Sequence, residues 1–223
     1  MFSNSLFSEY VRIFSQFDYT KNYYSHYFNV NENICLINLP DTTLNIIVTL
    51  PVDEQKFEKA HKLLKENSKV NYFWIFIITS ESEYSQTVAL IEQFNIQKVA
   101  IKPFYNGSNY DFFLENLFTT SEDLAMIQLN RRQIFARQYI NATNFGKLTV
   151  MPDGKIYANI NHDAIGAIYD DIRNIIYSEL VNGKSWLRIR DQKPCSDCVY
   201  QWLCPSPSNY EIAIECPNLC HVV

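Results

Sequence analysis

The chain has 223 residues and a formal net charge of −5, from 24 acids and 19 bases. This balance excludes the basic footprint of a nucleic-acid binder, and 47% apolar with 19% charged residues excludes a disordered chain. The longest apolar stretch, Tyr72 to Ile78, is strand-sized and too short for a membrane span; with no signal peptide recognised at the start, the expected setting is cytoplasmic, where thiols stay reduced.

Phe7, Tyr10, Val11, Phe14 and Phe17 recur at helical spacing and predict an amphipathic helix within an N-terminal segment, residues 1–33, that is otherwise irregular. Ile34 to Ile37 reads as a short strand, and Cys35, alone among apolar neighbours, fits plain core. From Leu44 the pattern becomes regular. Leu44 to Leu50 is a strand ended by Pro51, and Asp53 caps a helix to about Glu66 with Phe57, Ala60, Leu63 and Leu64 on its apolar side. Val70 to Thr79 is nearly all apolar, as in a strand covered on both faces. Ser80 or Ser82 caps a helix through Phe94, and Lys98 to Phe104 is a third strand. Asn106-Gly107 turns the chain into a short helix, Asp111 to Phe118. Strands and helices alternating at this spacing predict parallel βαβ units, hence an α/β layer over residues 34–120. Three or four strands cannot close an eight-stranded barrel, so the sheet is expected to be open or a partial barrel.

Residues 121–223 form the next region. Residues 121–141 read as one helix whose Arg131, Arg132 and Arg137 make a basic edge, open to solvent or to an acidic peptide. Lys147 to Ile160 is a hairpin with Asp153-Gly154 at its turn. Residues 170–182 form a helix stopped by Asn182-Gly183. His162 and His221 are single histidines of the kind usually found at surfaces or in packing.

Five of the six cysteines crowd the last stretch: Cys195, Cys198, Cys204, Cys216 and Cys220. Cys195 and Cys198 form a Cys-x2-Cys pair, whose tight turn can aim two sulfurs at one ion. A disulfide framework belongs to smaller, secreted chains, so a metal site is the expected use. Four thiolates suit zinc or an iron–sulfur cluster. Cys195, Cys198 and Cys204 are the first three candidates. Cys220 is preferred to Cys216 as the fourth, with His221 behind both. Tyr200 and Trp202 lie inside these loops, either shielding sulfurs or filling a small core.

Cys-x2-Cys-x5-Cys from Cys195 to Cys204 resembles the auxiliary-cluster segment of SPASM domains, the C-terminal extensions of radical-SAM peptide maturases. The Pro-Asp-Gly hairpin at Pro152 to Gly154 resembles the SPASM hairpin, the Ile165-Gly166-Ala167-Ile168 run resembles the Ile-Gly-Asn-Ile that follows it in relatives, and the Pro-Ser-Pro-Ser-Asn-Tyr-Glu tail looks like the Bacteroidales branch of such maturases and their pseudo radical-SAM companions. The resemblance implies that residues 34–120 are a degenerate radical-SAM-like partial (β/α) barrel layer, and residues 121–223 a SPASM-like α+β domain with metal loops at 195–220. It also implies losses. No Cys-x3-Cys-x2-Cys triplet is present, so no cluster would bind or cleave S-adenosylmethionine. Asn159 and Ser208 stand where the family has cysteines, and a further cysteine expected at about 138–144 is missing, so the first auxiliary cluster would be gone. Cys195, Cys198, Cys204 and Cys220 map onto the second, which implies one [4Fe–4S] cluster of auxiliary type, or zinc in its place. The expected function is a non-catalytic accessory protein in peptide maturation, binding a precursor peptide or a partner maturase. The alternatives are a C-terminal fragment of an active radical-SAM enzyme and a single-cluster electron-transfer protein. No Gly-x-Ser-x-Gly or His-Glu-x-x-His motif points to hydrolysis.

Overall fold

The computed structural model describes residues 20–33, 42–67 and 70–222. The helix expected over Phe7 to Phe17, the strand at Ile34 to Ile37 and Cys35 lie outside these residues. The chain divides into two compact units, with Asp18–Phe112 in one and Phe113 onward in the other.

The first unit is mixed α/β. Strands β1 (Lys21–His26), β2 (Thr42–Thr49), β3 (Tyr72–Ile78) and β4 (Val99–Pro103) form one parallel sheet in the order β1-β2-β3-β4. β1 arises from the segment expected to be irregular. Its burial alternates along Lys21–His26, but its residues are mostly polar or aromatic, so no hydrophobic period marks it. A short 3₁₀ turn (Tyr27–Asn29) and α1 (Val30–Asn33) follow it.

Helices α2 (Glu54–Glu66) and α3 (Glu81–Gln93) cross over between neighbouring strands. Their caps match the sequence: Asp53 accepts from the Lys56 N–H and Ser80 from the Glu83 N–H. Leu44, Ile46 and Val48 stand in register with Tyr72, Trp74 and Phe76. Phe57, Ala60 and Leu64 of α2 bury against this row, and Leu90, Ile91 and Phe94, from α3 and its end, pack on the same cluster. Both helices therefore share one face. Sequential strand order with right-handed crossovers produces that result, because every crossover steps in the same direction. Along β3, Trp74, Phe76 and Ile78 are buried on the helix-bearing face, and Phe73, Ile75 and Ile77 on the other are half-buried. Phe57 is the hub of the core, with ring centroids 4.9 Å from Trp74, 5.0 Å from Phe94, 5.8 Å from Tyr27 and 6.1 Å from Phe76.

The second unit carries short elements. α4 (Tyr110–Asn116) spans the division between the units. The single helix expected over 121–141 is two, α5 (Ser121–Met126) and α6 (Arg131–Tyr139). Asn130 and Gln133 form a reciprocal capping box at the start of α6, and Ile127 is extended, so the local capping chemistry overrides the apolar period. β5 (Thr149–Val150), β6 (Lys155–Tyr157) and β7 (Gly166–Ala167) make a small antiparallel sheet in that order. The hairpin turn is where the sequence puts it. The Gly154 N–H donates to the Met151 carbonyl at 2.9 Å, with Pro152 leading the turn, and Gly154 takes φ +84°, a conformation cheap only for glycine.

α7 (Ile172–Asn182) is capped by Asp171 and ends at Gly183, where an added Cβ would lie 1.9 Å from the Glu179 carbonyl oxygen. Glu179, buried on α7, folds the chain back by accepting the Ser185 and Trp186 N–H groups at 3.0 and 2.9 Å. A 3₁₀ turn (Cys195–Asp197) and α8 (Asn209–Ile214) complete the unit.

Truncating Phe57 to alanine leaves a cavity where four aromatic rings meet. The expected cost is about 3–5 kcal/mol, read from denaturant unfolding followed by Trp74 emission. A cost below about 1 kcal/mol would contradict this account of the core.

Candidate metal centre

The cysteine loops are a succession of tight turns. The Cys198 N–H donates to the Cys195 carbonyl at 3.1 Å, the Gln201 N–H to the Cys198 carbonyl at 3.1 Å, and the Cys204 N–H to the Tyr200 carbonyl at 3.0 Å. The tail returns through Thr119, whose N–H donates to the Leu219 carbonyl at 2.9 Å and whose carbonyl accepts from the His221 N–H at 3.0 Å. These two bonds bracket Cys220, which pairs with Thr119 as an isolated parallel bridge. Turns and bridge together bring Cys195, Cys198, Cys204 and Cys220 to the wall of one cavity of about 20 Å³, shared with Arg190 and Leu124.

Cys216 is elsewhere. It follows Glu215, which ends α8 in the left-handed region at φ 59°, and it lines a second, larger cavity. All five cysteines are free thiols, so no disulfide joins them. Neither Tyr200 nor Trp202 is among the residues lining the thiol cavity; Gln201 and Leu219 are. His221 is engaged through Nε2 with the Leu114 carbonyl at 2.9 Å, and His162 through Nδ1 with the Ser185 hydroxyl at 2.8 Å.

Among the described residues, no group of three or more His, Cys, Asp or Glu side chains already stands as a metal-holding set. Coordination therefore requires the thiols around the cavity to turn toward a common centre. Their chemistry fits that task. Burial pushes the Cys204 pKa up; Arg190 opposes this, and Cys220, Cys198 and Cys195 reinforce it. A cation between them would reverse that balance. Donors are also in place: Arg190 Nη1 lies 3.7 Å from Cys195 Sγ, and the Val222 N–H donates to Cys220 Sγ at 3.3 Å.

Of the residues that position this site, Arg188, Arg190 and Glu211 were not singled out in the sequence, and Arg137 was assigned another role. Glu211, on α8 and 2% exposed, accepts from Arg190 at 2.8 Å and lies 3.3 Å from Arg188. Burial works against the Arg190 charge, but Glu211 and the Cys195 sulfur outweigh it and its pKa is raised. Arg190 Nε also donates to the Pro205 carbonyl at 2.6 Å, just past Cys204. Arg137, expected on a solvated edge of the helix, instead donates to the Leu203 and Cys204 carbonyls. The available signal was small: an Arg-x-Arg doublet at 188–190 and one acid inside an otherwise apolar helix.

Asn141, Asn144, Asn159 and Asn209 form a hydrogen-bonded amide cluster. Asn141 is fully buried and donates to the Pro207 carbonyl at 2.9 Å. Asn159 and Asn144 both donate to Asn209 Oδ1, at 2.8 and 3.2 Å, and Ser206 accepts from the Ala142 N–H at 3.0 Å. The Ser208 hydroxyl is buried without a partner among the described residues. Comparison with protein-family models, characterised proteins and solved structures returns no match for the chain.

Glu211→Ala leaves two half-buried guanidiniums without their shared carboxylate. Breaking a buried pair from one side costs about 3–5 kcal/mol, and urea unfolding is expected to show a loss of that order. A loss under about 1 kcal/mol would mean that Arg188 and Arg190 do not depend on it.

Proposed function

We propose that this protein is a non-catalytic, SPASM-like accessory factor of peptide maturation. One four-thiolate metal site braces its C-terminal unit, and the protein binds a precursor peptide or a partner maturase. The observation that carries this reading is the gathering of Cys195, Cys198, Cys204 and Cys220 at one cavity with Cys216 left out. That is the ligand set implied by the resemblance. A bound structural ion would supply thiolate cross-links among segments that share little apolar core, and such sites contribute about 10 kcal/mol or more to folding.

Two further observations support the same reading. The amide cluster at Asn141, Asn159 and Asn209 occupies the region in which the family would hold its first auxiliary cluster: Asn159 stands at a family cysteine position, Asn141 falls within 138–144, and Ser208 is the neighbour of Asn209. Amides and hydroxyls are poor ligands for iron–sulfur clusters, and here most of them satisfy one another. The open parallel sheet, wound in one direction with both crossover helices on one face, has the pattern of a piece of barrel wall.

A cavity of about 20 Å³ has room for a single ion. This favours zinc over the bulkier [4Fe–4S] cluster. Metal analysis with visible spectra on anaerobically purified protein decides between them. About one zinc per chain and no visible band is the expected result. Iron with a broad visible band selects the cluster. Serine at Cys195, Cys198, Cys204 or Cys220 is expected to abolish stoichiometric metal, whereas Cys216→Ser retains it. Protein that binds neither metal, or loses it equally on Cys216→Ser, would overturn the reading.

A further inference from the structure

The second cavity in the C-terminal unit is open and much larger, about 430 Å³; it shares Cys195 and Arg190 with the thiol cavity and extends beyond them along Lys184, Leu187, Arg188, Ile189 and Pro217. Its size falls in the range of ligand pockets, about 300–1,000 Å³. Leu187, Ile189 and Pro217 supply apolar wall, and Lys184, Arg188 and Arg190 supply the cations. Asp191 also lines it, and Glu211 lies behind, so three cations meet two carboxylates.

The three cations differ in how far they are satisfied. Arg190 is turned to Glu211 at 2.8 Å, the Pro205 carbonyl at 2.6 Å and the Cys195 sulfur at 3.7 Å. Arg188 has the longer contact to the shared carboxylate, 3.3 Å, and one bond to the Ser208 carbonyl at 2.9 Å. A guanidinium carries five N–H donors, so most of the Arg188 fork is unspent. Burial lowers the Arg188 pKa, with Glu211 opposing and Arg190 reinforcing; a second anion beside it would relieve that cost. Lys184 is exposed at the rim, and no carboxylate among the described residues forms an ion pair with it.

We propose that this cavity binds a short acidic–apolar peptide segment, taking one carboxylate on Arg188 and Lys184 and its apolar neighbours on Leu187, Ile189 and Pro217. A planar guanidinium fork beside apolar wall suits a carboxylate better than a strongly hydrated anion, because bidentate bonding gains strength where water is excluded. Asp191 at the same cavity would accept from the peptide's own N–H groups. The inference deepens the peptide-binding part of the proposed function, and the side chains it assigns to the carboxylate, Arg188 and Lys184, line the second cavity and not the thiol cavity.

Calorimetric titration of the full chain with the capped tripeptide acetyl-Leu-Glu-Leu-amide, against its Gln counterpart, tests it. The acidic peptide is expected to bind about tenfold more tightly or better, the effect of one charge-assisted hydrogen bond, and to weaken as ionic strength rises. Arg188→Gln should remove that preference. Because Arg188 also helps hold Glu211, Lys184→Gln provides the second variant: its side chain is exposed, the fold should be untouched, and the preference should fall severalfold. Cys198→Ser protein that still unfolds cooperatively is expected to keep the preference, so failure of the metal reading and failure of this one give different results. Equal affinity for the two peptides, no binding of either, or an unchanged preference in folded Lys184→Gln and Arg188→Gln would overturn the proposal.

Discussion

Glu211 sets the geometry of the cysteine-bearing unit. A carboxylate 2% exposed is costly unless it is met by charge and hydrogen bonds. Here it is met by two guanidiniums, and their backbone is the segment that leads into the Cys195 turn. Arg190 extends the constraint: its side chain reaches the Pro205 carbonyl and the Cys195 sulfur, and its own carbonyl takes the Gln201 amide. One arginine thus ties together the approach to the loops, the first cysteine, the middle of the loops, their exit and α8. With those points fixed, and with Thr119 holding the tail, Cys204 and Cys220 have little freedom to leave the cavity.

The unit contains two polar knots with different chemistry. The amide knot of Asn141, Asn144, Asn159 and Asn209 is nearly complete in itself, since amides both donate and accept. The thiol knot is not. Thiols are weak donors and weak acceptors, and four of them around a small cavity gain little from one another unless a cation draws them in. One knot can hold its part of the fold with side chains alone, and the other is left with weak hydrogen-bonding partners.

Around these knots the large apolar elements lie in the other unit. There the sheet and its two helices rest on an aromatic centre, Phe57 among Tyr27, Trp74, Phe76 and Phe94. The second unit, with two-residue strands and short helices, relies more on charge and hydrogen bonds. Mutations should divide accordingly: cavity-forming changes matter most near Phe57, and polar substitutions near Arg190.

The sequence by itself determined the helices capped at Asp53 and Ser80, the three strands after Leu44, the Asp153-Gly154 hairpin and the crowding of cysteines. Each is a local statement, written in apolar period, capping residues, turn residues or spacing within a few positions. It did not reveal β1, whose residues carry no apolar period, nor the break between α5 and α6, where a capping box at Asn130 interrupted an apolar run. Folding at long range placed both crossover helices on one face and Arg137 on the cysteine loops, and it put Cys220, already preferred from spacing, at the cavity of Cys195, Cys198 and Cys204. Those choices depend on contacts between residues far apart in the chain, such as Thr119 with Cys220 and Arg190 with Glu211. An ion pair closed across a loop leaves no periodic trace in the residues between its ends.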